Sequence, residues 1–298
     1  MLPDNPLRAI ALAVSATVLF GSSDTISKYL SNSLPIVEFI WIRYVVYLVM
    51  ALCLIRSRPG RSVRPRNPGL QLVRGLCVAG SSVLFVYGVH QMTMAQATTI
   101  SFLSPLLITI LSIPLLGESV GPRRWAAVAA GLVGMLVVVR PGVGAFQPAA
   151  LFGVASSACW ALSLIITRKI SSSDTPQTTV LCSAGIGTMV LTVMLPFAAA
   201  WPTPGQLGLA VLMGIVASGG QLLVILAHRL APASLLAPFF YGQLITATVL
   251  GFLVFANLPD RWTLAGASII IASGLYTAHR ERLRSRMAAK VAKAQPVV

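Results

Sequence analysis

An internal recurrence constrains this chain more than any other feature. The stretch from His90 to Glu118, HQMTMAQATTISFLSPLLITILSIPLLGE, opens with a polar turn and continues as an apolar helix broken by Pro105. It ends at Leu116-Gly117-Glu118, shortly before Arg123-Arg124-Trp125. The same order of features returns in the second half. His228-Arg229-Leu230-Ala231-Pro232-Ala233 echoes His90-Gln91-Met92-Thr93-Met94-Ala95. Phe102 and Thr109 answer to Tyr241 and Thr248, and Arg124-Trp125 to Arg261-Trp262. Each match is weak alone, but all share an offset of 137 to 139 residues. The chain reads as a duplication, and a repeat has to be found before a fold is assigned.

What is duplicated follows from the apolar runs. Hydrophobic residues make up 56% of the chain and charged residues 10%, against about 25% charged in a soluble domain. The mean hydropathy is +0.83. A soluble globule cannot hide that much apolar surface, whereas a lipid-embedded bundle or barrel can. The runs are too long and continuous for the ten-residue alternation of barrel strands. Ten of them have roughly the 20-residue length that a bilayer requires. They lie near 8–30, 36–55, 70–89, 95–116, 124–140, 149–168, 177–197, 206–227, 234–256 and 262–279. Pro35, Pro59 to Pro68, Gly121-Pro122, Pro141-Gly142, Pro176, Trp201 to Gly205, Pro232 and Pro259 punctuate them. The fifth span is short, and Arg124 and Arg140 at its ends can snorkel to the headgroups.

Charge orients the spans. With the N-terminus inside, eighteen of the twenty-two Lys and Arg fall on cytoplasmic segments, and only Lys28, Arg43, Arg140 and Arg261 lie in the outer half. The positive-inside rule then places both termini in the cytoplasm of a multi-pass protein. The net charge of +15 serves topology and anionic lipid rather than nucleic acid. The tail from His279 to Lys293 reads as a basic surface helix without the interleaved aromatics of a nucleic-acid groove. Ala11-Leu12-Ala13 offers a signal-peptidase site, but cleavage would leave nine spans and strand one end of the chain against its charges.

Catalytic and cofactor chemistry finds no purchase. Cys53, Cys77, Cys159 and Cys182 all fall inside spans, without CxxC pairing or His and carboxylate at metal-ligand spacing. No Walker loop, GxSxG, HExxH or dinucleotide fingerprint occurs. The reading is therefore no enzyme, no cofactor and no metal. A membrane-embedded lipid-modifying enzyme would need clustered acids or a nucleophile–base pair, and the seven carboxylates are scattered.

Duplication and topology together supply the mechanism. Five spans per half is an odd number, so the second copy enters the membrane inverted. The expected fold is all-α and integral to the membrane, with ten transmembrane helices in a five-plus-five inverted repeat. Its domains are residues 1–141, residues 142–279 and a basic cytoplasmic tail, 280–298. Inverted repeats related by an axis in the membrane plane hold their substrate near the midplane, between the halves. A monomer suffices, with a dimer as the alternative.

Particular motifs carry a family resemblance. Phe20-Gly21-Ser22 in the first span, Arg43-Tyr44 in the second, Ser104-Pro105-Leu106 in the fourth and Leu116-Gly117-Glu118 at its end are the residues concerned. With ten inverted spans they make residues 8 to 279 resemble the drug/metabolite transporter superfamily in its EamA-type branch. Leu244 stands where the family often has proline, and Asn257 where it has a Gly-Glu carboxylate. The resemblance implies a transporter of the bacterial cytoplasmic membrane, most similar to exporters of amino acids, aromatic ones included. Other amphipathic compounds such as drugs, amines or nucleobases are the alternative. It also implies a structural part for Arg43, paired with Asp24, Glu38 or carbonyls, and a loop anchor at Glu118.

Polar residues within spans are costly and default to functional candidates. Thr17, Gly21, Asp24 and Lys28 recur along one face of the first helix. Asp24 and Lys28, spaced i,i+4, can neutralise each other or line the pathway, with Lys28 offered to a substrate carboxylate. Ser156, Trp160, Ser163 and Thr167 form a polar stripe around a mid-span Trp, which either packs in the core or stacks on a flat substrate. Pro238 to Gln243 sets Phe240, Tyr241 and Gln243 on an interrupted ninth helix. Gly214, Ser218 and Gln221 make a small polar stripe on the eighth. Phe102 is the repeat mate of Tyr241. Tyr87 and His90 end the third span, His90 as a solvated turn residue. The expected cavity is lined by spans one, three, four, six, eight and nine, with Trp160 and Tyr241 near its middle.

Overall fold

A computed structural model describes residues 6–56, 64–117, 121–140, 148–170, 173–197, 200–230, 236 and 239–294. Pro59, Glu118, Pro141-Gly142, Pro232 and Pro238, all singled out in the sequence, lie outside the described residues. So do the side chains of Arg123, Arg124, His228, Arg229 and the basic tail from Arg280.

The described elements are helical: α1 (Pro6–Leu30), α2 (Ile36–Arg56), α3 (Pro68–Gln91), α4 (Met94–Ser101), α5 (Ser104–Leu116), α6 (Pro122–Val139), α7 (Ala149–Ile170), α8 (Pro176–Met194), α9 (Pro204–Leu230), α10 (Gly242–Phe255) and α11 (Arg261–Ala294), with one 3-10 turn, Leu195–Phe197. Local signals explain their starts. Pro6, Pro68, Pro122, Pro176 and Pro204 each open a helix, where the missing N–H costs nothing and φ is already set. Thr93 and Gln96 form a reciprocal capping box at α4, and Thr175 caps α8 through the Thr178 amide.

Seven stretches are long and apolar enough to cross a membrane, with α4 and α5 counting together as Met94–Leu116. Trp125–Val139 and Gly242–Phe255 are shorter apolar helices, and the first half of α11 covers the tenth predicted span. The basic tail is not a separate helix. It continues α11 to Ala294 without interruption.

The break in the fourth span lies two residues earlier than Pro105 suggests. α4 ends at Ser101, Phe102 caps it, and Pro105 sits in the first turn of α5. Proline disfavours helical geometry in the residues before it, so the interruption falls on its N-terminal side. The ninth span has the matching break, where Tyr241 forms a turn and caps the start of α10. The two interruptions therefore fall on repeat mates.

The packing of the halves is pseudo-two-fold. If the repeat exchanges α1 with α7, α2 with α8, α3 with α9, α4–α5 with α10, and α6 with α11, then α1 against α9 has its mate in α3 against α7. Likewise α2 against α9 matches α3 against α8, and α1 against α10 matches α5 and α4 against α7. The pairs α2–α8 and α6–α11 map onto themselves. All of these are principal contacts of the bundle. Even the turn contacts obey the symmetry. The Asp174 carboxylate, after α7, accepts the Arg66 amide N–H ahead of α3 at 2.9 Å. At the opposite end, the Glu38 carboxylate, after α1, accepts the Ala200 amide N–H ahead of α9 at 2.8 Å.

Interior positions hold Phe39, Ile40, Ile100, Leu103, Leu106, Leu191 and Met213, all almost fully buried. The outward faces are also apolar: Val49, Leu52, Leu72, Val133, Met189, Val193, Ile245 and Leu253 are exposed. In water such a surface would be an aggregation liability, whereas acyl chains accept it at no cost.

Candidate functional site

The site is assembled from the first helix outward. The polar stripe of α1 meets α10 position by position. Thr17 packs on Gly242, and Gly21 lies so close to Thr246 that a side chain at 21 would collide with it. Asp24 Oδ2 accepts a hydrogen bond from the Gln243 amide at 3.0 Å. The small residues let two helices approach, and the approach brings Asp24 to the interrupted ninth span.

Beside that bond lies the aromatic pair. The Phe102 and Tyr241 rings meet edge-to-face with centroids 4.9 Å apart, a geometry favoured by the ring quadrupoles. The Tyr241 hydroxyl rests against Gly274 of α11, where no Cβ would fit. Phe240 is half-buried and packs with Ala9, Ala13, Ala227, Leu230 and Leu236.

Two expected charge pairs do not form. Asp24 and Lys28 are not bonded to each other. Lys28 reaches the Met92 carbonyl at the α3–α4 turn and stands over the Phe255 ring at 5.2 Å. Neighbours on α10 and at the α3–α4 turn take up both members of this i,i+4 pair. Arg43 pairs with neither Asp24 nor Glu38, and makes no hydrogen bond or ion pair among the described residues. Glu38 is five residues earlier on α2, about 140° around the helix at 3.6 residues per turn, and is turned to Ala200.

The other candidates make contacts of their own. Tyr87 is 38% exposed and stacks on Phe152 of α7 with centroids 5.7 Å apart. Trp160 is 37% exposed, and among the described residues no ring contact joins it to Phe102 and Tyr241. Two members of its stripe bond to α3. Ser156 donates to the Ser81 carbonyl at 2.8 Å, Thr167 accepts from Arg74 at 2.6 Å, and Ser163 bonds its own helix at the Trp160 carbonyl. Ser218 is buried and Gln221 half-buried on α9. His90 is exposed, as a turn residue should be, and its Nδ1 contacts the Ser31 hydroxyl at 3.0 Å.

Sequence reasoning missed two roles. Arg74, read there only as a topogenic charge, ties α3 to Thr167 of α7 and to Ser183 and the Thr179 carbonyl of α8. Asp174 was not singled out, yet it also accepts from Gln71 at 2.7 Å, and that bond, with the Arg66 amide, holds its carboxyl below the ordinary carboxylate range. An acid in a turn beside a helix start was the available signal.

Comparison with known proteins agrees with this architecture. The model of the EamA-like transporter family matches twice, over residues 7–140 and 147–278. The S-adenosylmethionine uptake transporter of Rickettsia felis is 27% identical over 279 residues, covering 93% of this chain and 94% of the relative. The riboflavin transporter of Vibrio cholerae is 27% identical over 300 residues, 97% of this chain and 98% of its own. The pseudopaline exporter of Pseudomonas aeruginosa is 23% identical over 266 residues, 89% and 93% of the two chains. A solved crystal structure superposes with a TM-score of 0.64 at 19% identity, over 92% of this chain and 98% of that one, so the fold is shared. Two family matches that between them span nearly the whole described bundle, on a ten-crossing inverted repeat, make this chain a member of the EamA-like transporter family, a small-molecule transporter of the membrane.

Proposed function

We propose that the chain is a secondary transporter in which residues 1–141 and 142–279 alternate access to a central site built around Phe102, Tyr241, Gln243 and Asp24. The observation that carries this reading is the contact between Phe102 and Tyr241. Residues related by a two-fold touch only near its axis. The axis of an inverted repeat lies in the membrane plane, which supports a site beside this pair, at two helix breaks such as those where transporters of this design hold substrate. One chain builds the whole site, so a monomer suffices, and the charge distribution puts both termini in the cytoplasm.

The substrate class follows from the lining. An aromatic pair favours a flat or apolar body, and the neighbouring amide and carboxylate favour a polar head. Neutral or aromatic amino acids have both. S-adenosylmethionine and riboflavin, named for the relatives, likewise carry flat rings, which supports the body half of the assignment. Export is the direction implied by the first resemblance, and the relatives' names include both uptake and export. Alternating access is reversible, so gradients set the direction.

The test is counterflow into liposomes holding the purified protein, without nucleotide, using labelled phenylalanine, tryptophan, S-adenosylmethionine and riboflavin. At least one should accumulate above protein-free vesicles. Transport of none, or strict dependence on ATP, overturns the reading.

A further inference from the structure

The two halves meet along two seams that the repeat makes equivalent, and the residues closing them are not alike. Towards the end where Arg66 and Asp174 meet, α3 of the first half lies against α7 and α8 of the second. There the Arg74 guanidinium donates from Nε to the Thr167 hydroxyl at 2.6 Å. From Nη1 it donates to the Thr179 carbonyl at 3.2 Å and to the Ser183 hydroxyl. Towards the other end, α9 of the second half lies against α1 and α2 of the first. Met213 stands 139 residues after Arg74, and Ser27 stands 140 before Thr167. Ile40 and Tyr44 each stand 139 before Thr179 and Ser183. The equivalent residues come together again: the Ser27 hydroxyl donates to Met213 Sδ at 3.0 Å, and Met213 shares one buried apolar cluster with Ile40 and Tyr44.

Arginine therefore centres one seam and methionine the other, and chemistry makes the first the stronger. Hydrogen bonds from a charged donor exceed neutral ones, whereas a thioether sulfur is a weak acceptor and methionine repacks readily. Arg74 is nevertheless releasable. Its acceptors are two hydroxyls and a carbonyl, and no carboxylate pairs with it among the described residues. Water can replace neutral acceptors when a seam opens, and no buried acid is left uncompensated.

We propose that Arg74 is the latch of its seam and sets the state in which the transporter rests: closed at the end where Arg66 and Asp174 meet, the end predicted to be cytoplasmic, and readier to open at the other. It is a positioning residue, acting through α7 and α8 without touching substrate. Alternating access opens each seam in turn, so this assignment rests on the transport reading above. With equal seams the two openings would cost the same, and a difference in their contacts shifts the population.

Native thiols report the latched seam. Cys77 lies about one turn beyond Arg74 on α3, and Cys182 adjoins Ser183 on α8. Both are partly buried, whereas Cys53 on α2 is exposed. The measurement is the rate at which N-ethylmaleimide modifies each cysteine of the purified protein, followed by mass spectrometry, with Cys53 as internal reference. Arg74→Met, which copies the other seam, should speed modification of Cys77 and Cys182 roughly tenfold and leave Cys53 unchanged. Thr167→Val and Ser183→Ala each remove one acceptor and should act in the same direction by a smaller factor, which keeps the test open where Arg74→Met does not fold. Met213→Ala weakens the opposite seam. Added to Arg74→Met it should bring both rates back toward the parent's, because the two openings compete. Local loosening without alternation would leave that double variant at least as reactive as Arg74→Met. Parental rates in all three single variants, or a double variant no slower than Arg74→Met, would overturn the latch while counterflow by the parent still stands. Failure of every counterflow substrate would remove the transport reading and the latch with it.

Discussion

Tyr241 sits where helix continuity is given up, and its ring meets that of Phe102. Edge-to-face contact with Phe102 is worth about 0.5–1.5 kcal/mol beyond area burial, and a substrate ring inserted beside the pair gains a similar amount. Tyr241→Ala should therefore raise the Kd of a bound ring compound roughly two- to twelvefold while the bundle stays folded. Binding of tryptophan by parent and variant, with Phe102→Ala alongside, checks this. Unchanged affinity in both variants would place the ring subsite elsewhere. Lys28 shows the converse. Its chemistry suggests a substrate ligand, but its position makes it a tie between α1, the α3–α4 turn and α10. No spacing rule reports which carbonyl a flexible cation will reach.

At the scale of elements, the turns hold the halves together. Asp174 follows α7 and clasps the start of α3 through the Arg66 amide and the Gln71 side chain. Its carboxyl is held below its ordinary value first by the Gln71 bond. A folded pKa below the unfolded one means that the contribution to stability is complete above the unfolded value, near 3.9. It is lost as pH falls through the lower, folded value. Thermal unfolding in detergent should accordingly show a parent that loses stability below about pH 4. Asp174→Asn should lower the stability at neutral pH by on the order of 1 kcal/mol, read as a lower Tm, and should flatten that part of the acid dependence. An Asn variant as stable as the parent at pH 7 would mean the clasp contributes nothing. The Glu38 contact with Ala200 repeats this arrangement at the other end of the bundle. It places an acid in the first turn of α2, where the helix dipole also favours negative charge.

At the scale of the whole molecule, contacts between the halves pair off under one exchange of helices, so the inverted repeat is a property of packing as well as of sequence. It also sorts the turns by side. Asp174, Ser173, Arg66 and Asn67 meet at one end, while Arg140 and Asp260 meet at the other. The first group carries the side predicted to be cytoplasmic. Reporter fusions after residues 65, 145, 204 and 298 should read in, out, out and in. A C-terminus on the outer side would rule out ten crossings.

The sequence by itself determined the class, the number of crossings, the duplication and the breaks in the fourth and ninth spans. These depend on local quantities: apolar length against bilayer thickness, the missing amide of proline, and an offset that recurs. It also marked the α1 stripe and the equivalence of Phe102 and Tyr241. Only the tertiary structure decided what each polar group touches. The stripe faces α10, the two equivalent rings meet, Lys28 leaves Asp24, and Ser156 and Thr167 of α7 bond to α3. The reason is that a polar side chain in a membrane interior binds whatever donor or acceptor the neighbouring helix presents, and that neighbour can lie more than 200 residues away, as Gln243 does from Asp24.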